Sequence, residues 1–96
     1  MRKTKQEVVK YISELLGVET PAMSTGSTEP RKLFELINAQ LGLGIAPDLT
    51  KPEFAREITE RAGLVWTPDC ESRGSTVTLK GLELVAAAVV FFTDSR

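Results

Sequence analysis

The chain has 96 residues, a formal charge of −1, 42% hydrophobic and 26% charged content, which fits one small globular domain and leaves no room for a second. A near-neutral balance provides none of the global attraction to phosphate of a strongly basic domain, so any nucleic-acid contact must come from local patches. One cysteine, Cys70, and no histidine exclude an internal disulfide and a conventional zinc site, and suggest a reducing cytoplasm.

The start, MRKTKQEVVKYISELL, alternates charged with apolar residues and lacks the uninterrupted apolar core of a signal peptide. In the segment that follows Thr4, the residues Val8, Val9, Ile12, Leu15 and Leu16 recur at helical spacing, opposite Gln6, Glu7, Lys10 and Glu14. Thr4 and Glu7 make a capping-box pattern and Gly17 a stop, so the first helix is predicted over 5–16. VETPAMSTGST, residues 18–28, reads as a loop with room for one short strand.

A second helix is predicted over 30–41, opened by Pro30 and facing inward with Leu33, Phe34, Ile37 and Leu41. GLGIAPD breaks the chain before a second capping box, Thr50-Lys-Pro-Glu53, which starts a third helix over 51–62. Its inner residues are Phe54, Ala55, Ile58 and Ala62, and Gly63 ends it. After Gly63, Leu64-Val65-Trp66 and Thr76-Val77-Thr78-Leu79 are β-prone runs around a polar loop, which predicts a hairpin over 64–79 with a flexible tip at residues 71–75. Thr78 is placed to cap a last helix over 80–92, in which Gly81 is a weak helix former.

This order of three helices, strand, long loop, strand and closing helix resembles the winged helix-turn-helix family across nearly the whole chain. The residues that carry the resemblance are AGLVW, the polar loop after it, and VTLKGLELV. Thr78, Leu79, Lys80 and Gly81 stand where many members have a threonine and glycine at the start of the last helix, with the threonine one position early. The resemblance implies a mainly α domain with a wing hairpin, whose third helix and wing meet double-stranded DNA without catalysis. It also implies either a small regulator or the recognition module of a larger restriction or defence enzyme.

The positions carried over are Lys51, Arg56 and Thr59 as groove-facing residues and Arg73 on the wing; the basic pair Arg31 and Lys32 at the start of the second helix adds candidate phosphate contacts. One feature opposes the first group. At about 100° per residue the outer face of the third helix centres on Glu53, Arg56, Glu57 and Glu60, and carboxylates repel phosphate. The rival expectation is a domain that meets other proteins through this acidic face and its apolar last helix.

Enzymatic chemistry is not expected. Pro68-Asp69 and Lys80 are spaced like parts of a metal-dependent nuclease motif, but Thr78 stands where a metal-binding carboxylate is needed. Asp69 and Glu71 alone make a weak cation site, and Cys70, Ser72, Ser75 and Thr76 lack an activating base. No glycine-rich loop with an adjacent Gly-Lys-Ser/Thr is present, so no cofactor is expected. Cys70 reads as a half-buried filler, and Trp66 as a large residue covering the third helix.

The run LVAAAVVFF, residues 84–92, is about half the roughly 20 residues needed to span a bilayer, so no membrane anchor is expected. It is apolar all round, which requires a cover for its second face. The middle of the domain, a homodimer seam and a neighbouring domain each provide one, and residues 88–92 also suit a strand.

Overall fold

The computed structural model describes residues 4–21, 30–46, 48–72 and 76–94. Among these the chain is mainly helical, with α1 Lys5–Leu16, α2 Arg31–Leu41, α3 Lys51–Arg61 and α4 Leu79–Asp94. A single 3-10 turn, Pro68–Cys70, precedes the two-residue strands β1, Glu71–Ser72, and β2, Thr76–Val77. Most of the segment 18–28, with its possible strand, lies outside the described residues.

The helix boundaries follow from their caps. Thr4 Oγ1 accepts from the Glu7 amide at 3.2 Å, and Gly17 closes α1 in the left-handed conformation at φ 71°. Thr50 and Glu53 form the full reciprocal capping box at the start of α3. At α4 the Thr78 hydroxyl accepts from the Gly81 amide at 3.3 Å, and the helix begins at Leu79 and runs to Asp94.

The core joins all four helices. Val9 and Ile12 of α1, Leu33, Phe34 and Ile37 of α2, Phe54 and Ile58 of α3, and Leu82, Val85 and Val89 of α4 are all buried. The rings of Phe34 and Phe54 stack with centroids 6.2 Å apart and tie α2 to α3. Helix α4 packs against both α1 and α3, so much of its apolar circumference is covered within the domain. Its buried positions, Gly81, Leu82, Val85, Ala86, Ala88 and Val89, span more than one face for that reason. The strand alternative for residues 88–92 is thereby corrected, since leucines and three successive alanines favour a helix here and two neighbouring helices bury it.

The first strand of the hairpin expected over 64–79 is also corrected, while Thr76–Val77 pairs in an antiparallel strand within that range. Residues 64–66 form no strand, although half-buried Leu64 and Trp66 alternate with exposed Val65 as in one. The 3-10 turn at Pro68, which has no amide to offer a ladder, redirects the chain first. Pairing starts only after it, with Glu71 opposite Val77 and Ser72 opposite Thr76 in antiparallel register. Glu71, expected in a flexible tip, is therefore in a strand.

The link between α2 and α3 is held by a side chain. Asn38 accepts from the Ile45 amide at 2.9 Å and donates to the Ile45 carbonyl at 3.1 Å, a two-way clamp that keeps Ile45 in the core. Arg61 Nη1 donates to the Leu43 carbonyl oxygen from the end of α3. The relative placement of α2 and α3 thus rests on hydrogen bonds as well as on the phenylalanine stack.

Candidate functional site

The outward side of α3 is acidic. Glu53, Arg56 and Glu60 are exposed, Glu57 is half-buried, and with Leu49 they line a shallow cleft of about 260 Å³. Arg56 Nε lies 3.2 Å from Glu60 Oε2 one turn on, so its charge is partly offset. Glu53 is held as a carboxylate below its ordinary pKa by the Thr50 amide first and the Thr50 hydroxyl second. Lys51 stands half-buried in the first turn.

Thr59 is a correction. It was expected to face a groove, but its exposure is 0% and its hydroxyl donates to the Ala55 carbonyl at 2.8 Å. The physical reason is spacing: Ala55 and Thr59 are four residues apart on the inward face, and the threonine hydroxyl satisfies itself on its own helix. Ser13 does the same toward Val9 in α1. A polar side chain at a core position can be mistaken for an exposed one when its partner is its own backbone.

Arg31 and Lys32 occupy the first turn of α2. Lys32 is exposed, and Arg31 Nε lies 3.6 Å from Glu35 Oε2, both side chains being partly open to solvent. This turn contains no acidic residue, so two cations sit at the positive end of the helix dipole. That arrangement is unfavourable for the helix alone and favourable for an incoming anion.

The third group is the mounting of β1 and β2. Trp66 Nε1 donates to Glu71 Oε2 at 2.8 Å, and the Thr78 hydroxyl donates to the Asp69 carbonyl at 2.8 Å. The Thr78 amide donates to the Cys70 carbonyl at 2.9 Å. Lys80 Nζ donates to Asp69 Oδ2 at 2.7 Å, and Thr67 Oγ1 donates to the other oxygen of the same carboxylate. The Cys70 thiol is fully buried beside the Thr67 hydroxyl at 3.4 Å, more enclosed than a half-buried filler. Arg73, the expected wing contact, lies outside the described residues.

The nuclease-like spacing thus brings Asp69, Thr78 and Lys80 together as a structural latch. Lys80 neutralises Asp69 directly, and Thr78 bonds to backbone and caps α4. No group of three or more metal-ligating side chains occurs among the described residues. None of the helices among them is long and apolar enough to cross a membrane.

The Asp69 carboxyl is lowered from an ordinary value of 3.8 to about 2, by the Lys80 hydrogen bond first and the Thr67 hydroxyl second. Because the folded value is depressed, the contribution of this contact is present above the ordinary value and is lost as pH falls through about 2. Following the Asp69 carboxyl by NMR should give a midpoint near that value, and Lys80→Met should move it back up toward 3.8. A midpoint near 3.8 in the unmodified chain would mean that the latch is open in solution.

No family model, curated protein or solved structure matches the chain. Arg31, Lys32, Lys51 and Arg56, the cations expected to meet DNA, all lie at least partly at the surface, whereas Asn38 and the Trp66–Glu71 contact carry no such signal in the sequence. Their signal is weak because an asparagine in the last turns of a helix and a tryptophan in a connecting segment name no partner by themselves. Only the fold reveals what they bridge.

Proposed function

We propose that the chain is a non-catalytic DNA-binding domain of winged-helix type, acting as a small regulator or as the recognition module of a larger restriction or defence enzyme. What supports DNA contact most is the first turn of α2, where exposed Lys32 stands at the positive helix end beside Arg31, whose ion pair with Glu35 one turn on is long and partly open to solvent. A backbone phosphate would relieve that concentration of positive charge. The β1–β2 segment would be the wing. Its base is fastened by Trp66, Asp69, Thr78 and Lys80, and its sequence carries Arg73 between Ser72 and Gly74-Ser75, whose serine hydroxyls suit phosphate.

In this reading α3 does not insert deeply into a groove along its outer face. Glu53, Glu57 and Glu60 would meet phosphate there, and Arg56 is engaged with Glu60. Lys51, at the start of α3, is the residue of that helix best placed to approach the backbone from its end. The acidic face is also what favours the second reading, a winged helix that meets a basic protein surface through α3.

Titrating a short duplex at low salt into the isotope-labelled chain distinguishes the two. DNA binding should shift the amide resonances of Arg31 and Lys32 and those flanking the β1–β2 connection, with little change at Glu57 and Glu60. Absence of shifts at α2 and β1–β2 at any duplex concentration would reject DNA binding and leave the protein-contact reading.

A further inference from the structure

Helix α4 is covered by α1 and α3, yet a strip of it remains open. Beside α1 this strip forms a groove of about 550 Å³ lined, among the described residues, by Glu7, Val8, Tyr11, Glu83, Ala86, Ala87 and Val90. Its size is within the roughly 300–1,000 Å³ range of ligand clefts. The alanines give it depth, since a methyl group leaves space that a larger side chain on α4 would fill. Tyr11 is 46% exposed, and Phe91, one turn beyond Ala87 on the same face of α4, is 50% exposed. These are large apolar surfaces left open beside an apolar floor.

We propose that this groove docks an amphipathic helix of another protein, with an apolar stripe flanked by lysine or arginine. The charge of the lining decides the chemistry of the occupant. Among the described residues lining the groove, Glu7 and Glu83 are the charged ones, and both are carboxylates. A partner with cations beside its apolar anchors would neutralise them as it buries the floor. A second copy using the same face would bring two more carboxylates to the groove and partly desolvate like charges, which opposes self-docking.

The walls are two helices whose backbone groups bond within each helix. The groove therefore offers no strand edge for an extended peptide to join. A helix laid between α1 and α4, with anchors three and four residues apart, is the mode that matches such walls. This surface is separate from the residues proposed to meet DNA, so the two proposals stand or fall independently.

The test uses a designed helical peptide of about 15 residues, with leucines at helical spacing and lysines beside them, and a control in which glutamates replace the lysines. The lysine peptide should shift the amides of Val8, Tyr11, Ala86, Ala87 and Val90. Ala87→Arg, at an exposed position, should weaken it by about tenfold, and Glu83→Gln should weaken it less. An unchanged thermal melt of each variant would show that the fold is retained. The proposal is overturned if the lysine peptide leaves these amides unmoved, or if the glutamate peptide binds equally well. It is also overturned if sedimentation shows a dimer that Ala87→Arg dissociates, because the face would then belong to a second copy.

Discussion

Gly81→Ala is expected to destabilise the domain by about 2–3 kcal/mol, although alanine is the better helix former by about 1 kcal/mol. A Cβ at this position would come within 2.6 Å of Val77 Cγ1 and 3.1 Å of Trp66 Cη2, and closer still to the Cys70 carbonyl oxygen. The side chains could shift, but the Cys70 carbonyl is backbone held by the Thr78 amide. Relief therefore requires α4 to move away from the base of β1 and β2. A urea melt should show the loss as a lower midpoint. Equal or greater stability would contradict the close approach of α4 to Cys70.

Phe54→Ala is expected to cost about 3–5 kcal/mol, because it removes a buried ring and leaves a cavity against Phe34. Small domains have total stabilities of about 5–15 kcal/mol, so the variant should be partly unfolded at room temperature or melt far below the parent chain. The effect should also reach the α2–α3 link, since Ile45, which Asn38 holds by two hydrogen bonds, belongs to the same core as Phe54. A loss below about 1 kcal/mol would mean that Phe54 does not join α2 to α3 in solution.

The helices were legible in the sequence for reasons that can be named. Val8, Val9 and Ile12, or Leu33, Phe34 and Ile37, repeat at helical spacing, and Thr4, Thr50 and Thr78 mark starts through local hydrogen bonds. These signals are carried by neighbours in the chain. Residues 64–66 were misread because their alternation suits a strand, whereas pairing depends on where the chain goes next, and Pro68 turns it. Gly81 looked like a blemish in a helix, and its purpose emerges only from the approach of Cys70, Val77 and Trp66.

The candidate site was legible in part. Charge on α2 and the acidic cast of α3 could be read from spacing, and Lys32, Glu53, Arg56 and Glu60 are exposed while Arg31 and Glu57 are half-buried. Thr59 was legible too, since it lies four residues after Ala55 and three before Ala62 on the inner face; its hydroxyl suggests solvent, but its own helix satisfies it. The run 84–92 announced that it needed a second cover, and the fold supplies most of it through α1 and α3. What remains uncovered beside α1 is a narrower surface than the whole run suggested.

The central claim, phosphate contact through the first turn of α2, is tested most directly by the salt dependence of duplex affinity in the parent chain and in an Arg31→Ala, Lys32→Ala double variant. The parent should bind more weakly as salt rises, and the slope of log affinity against log salt should shrink by about 0.9 for each phosphate contact the variant loses. A parent chain that binds with a steep slope left unchanged by the double substitution would contradict the claim, as would a parent that does not bind duplex DNA at low salt.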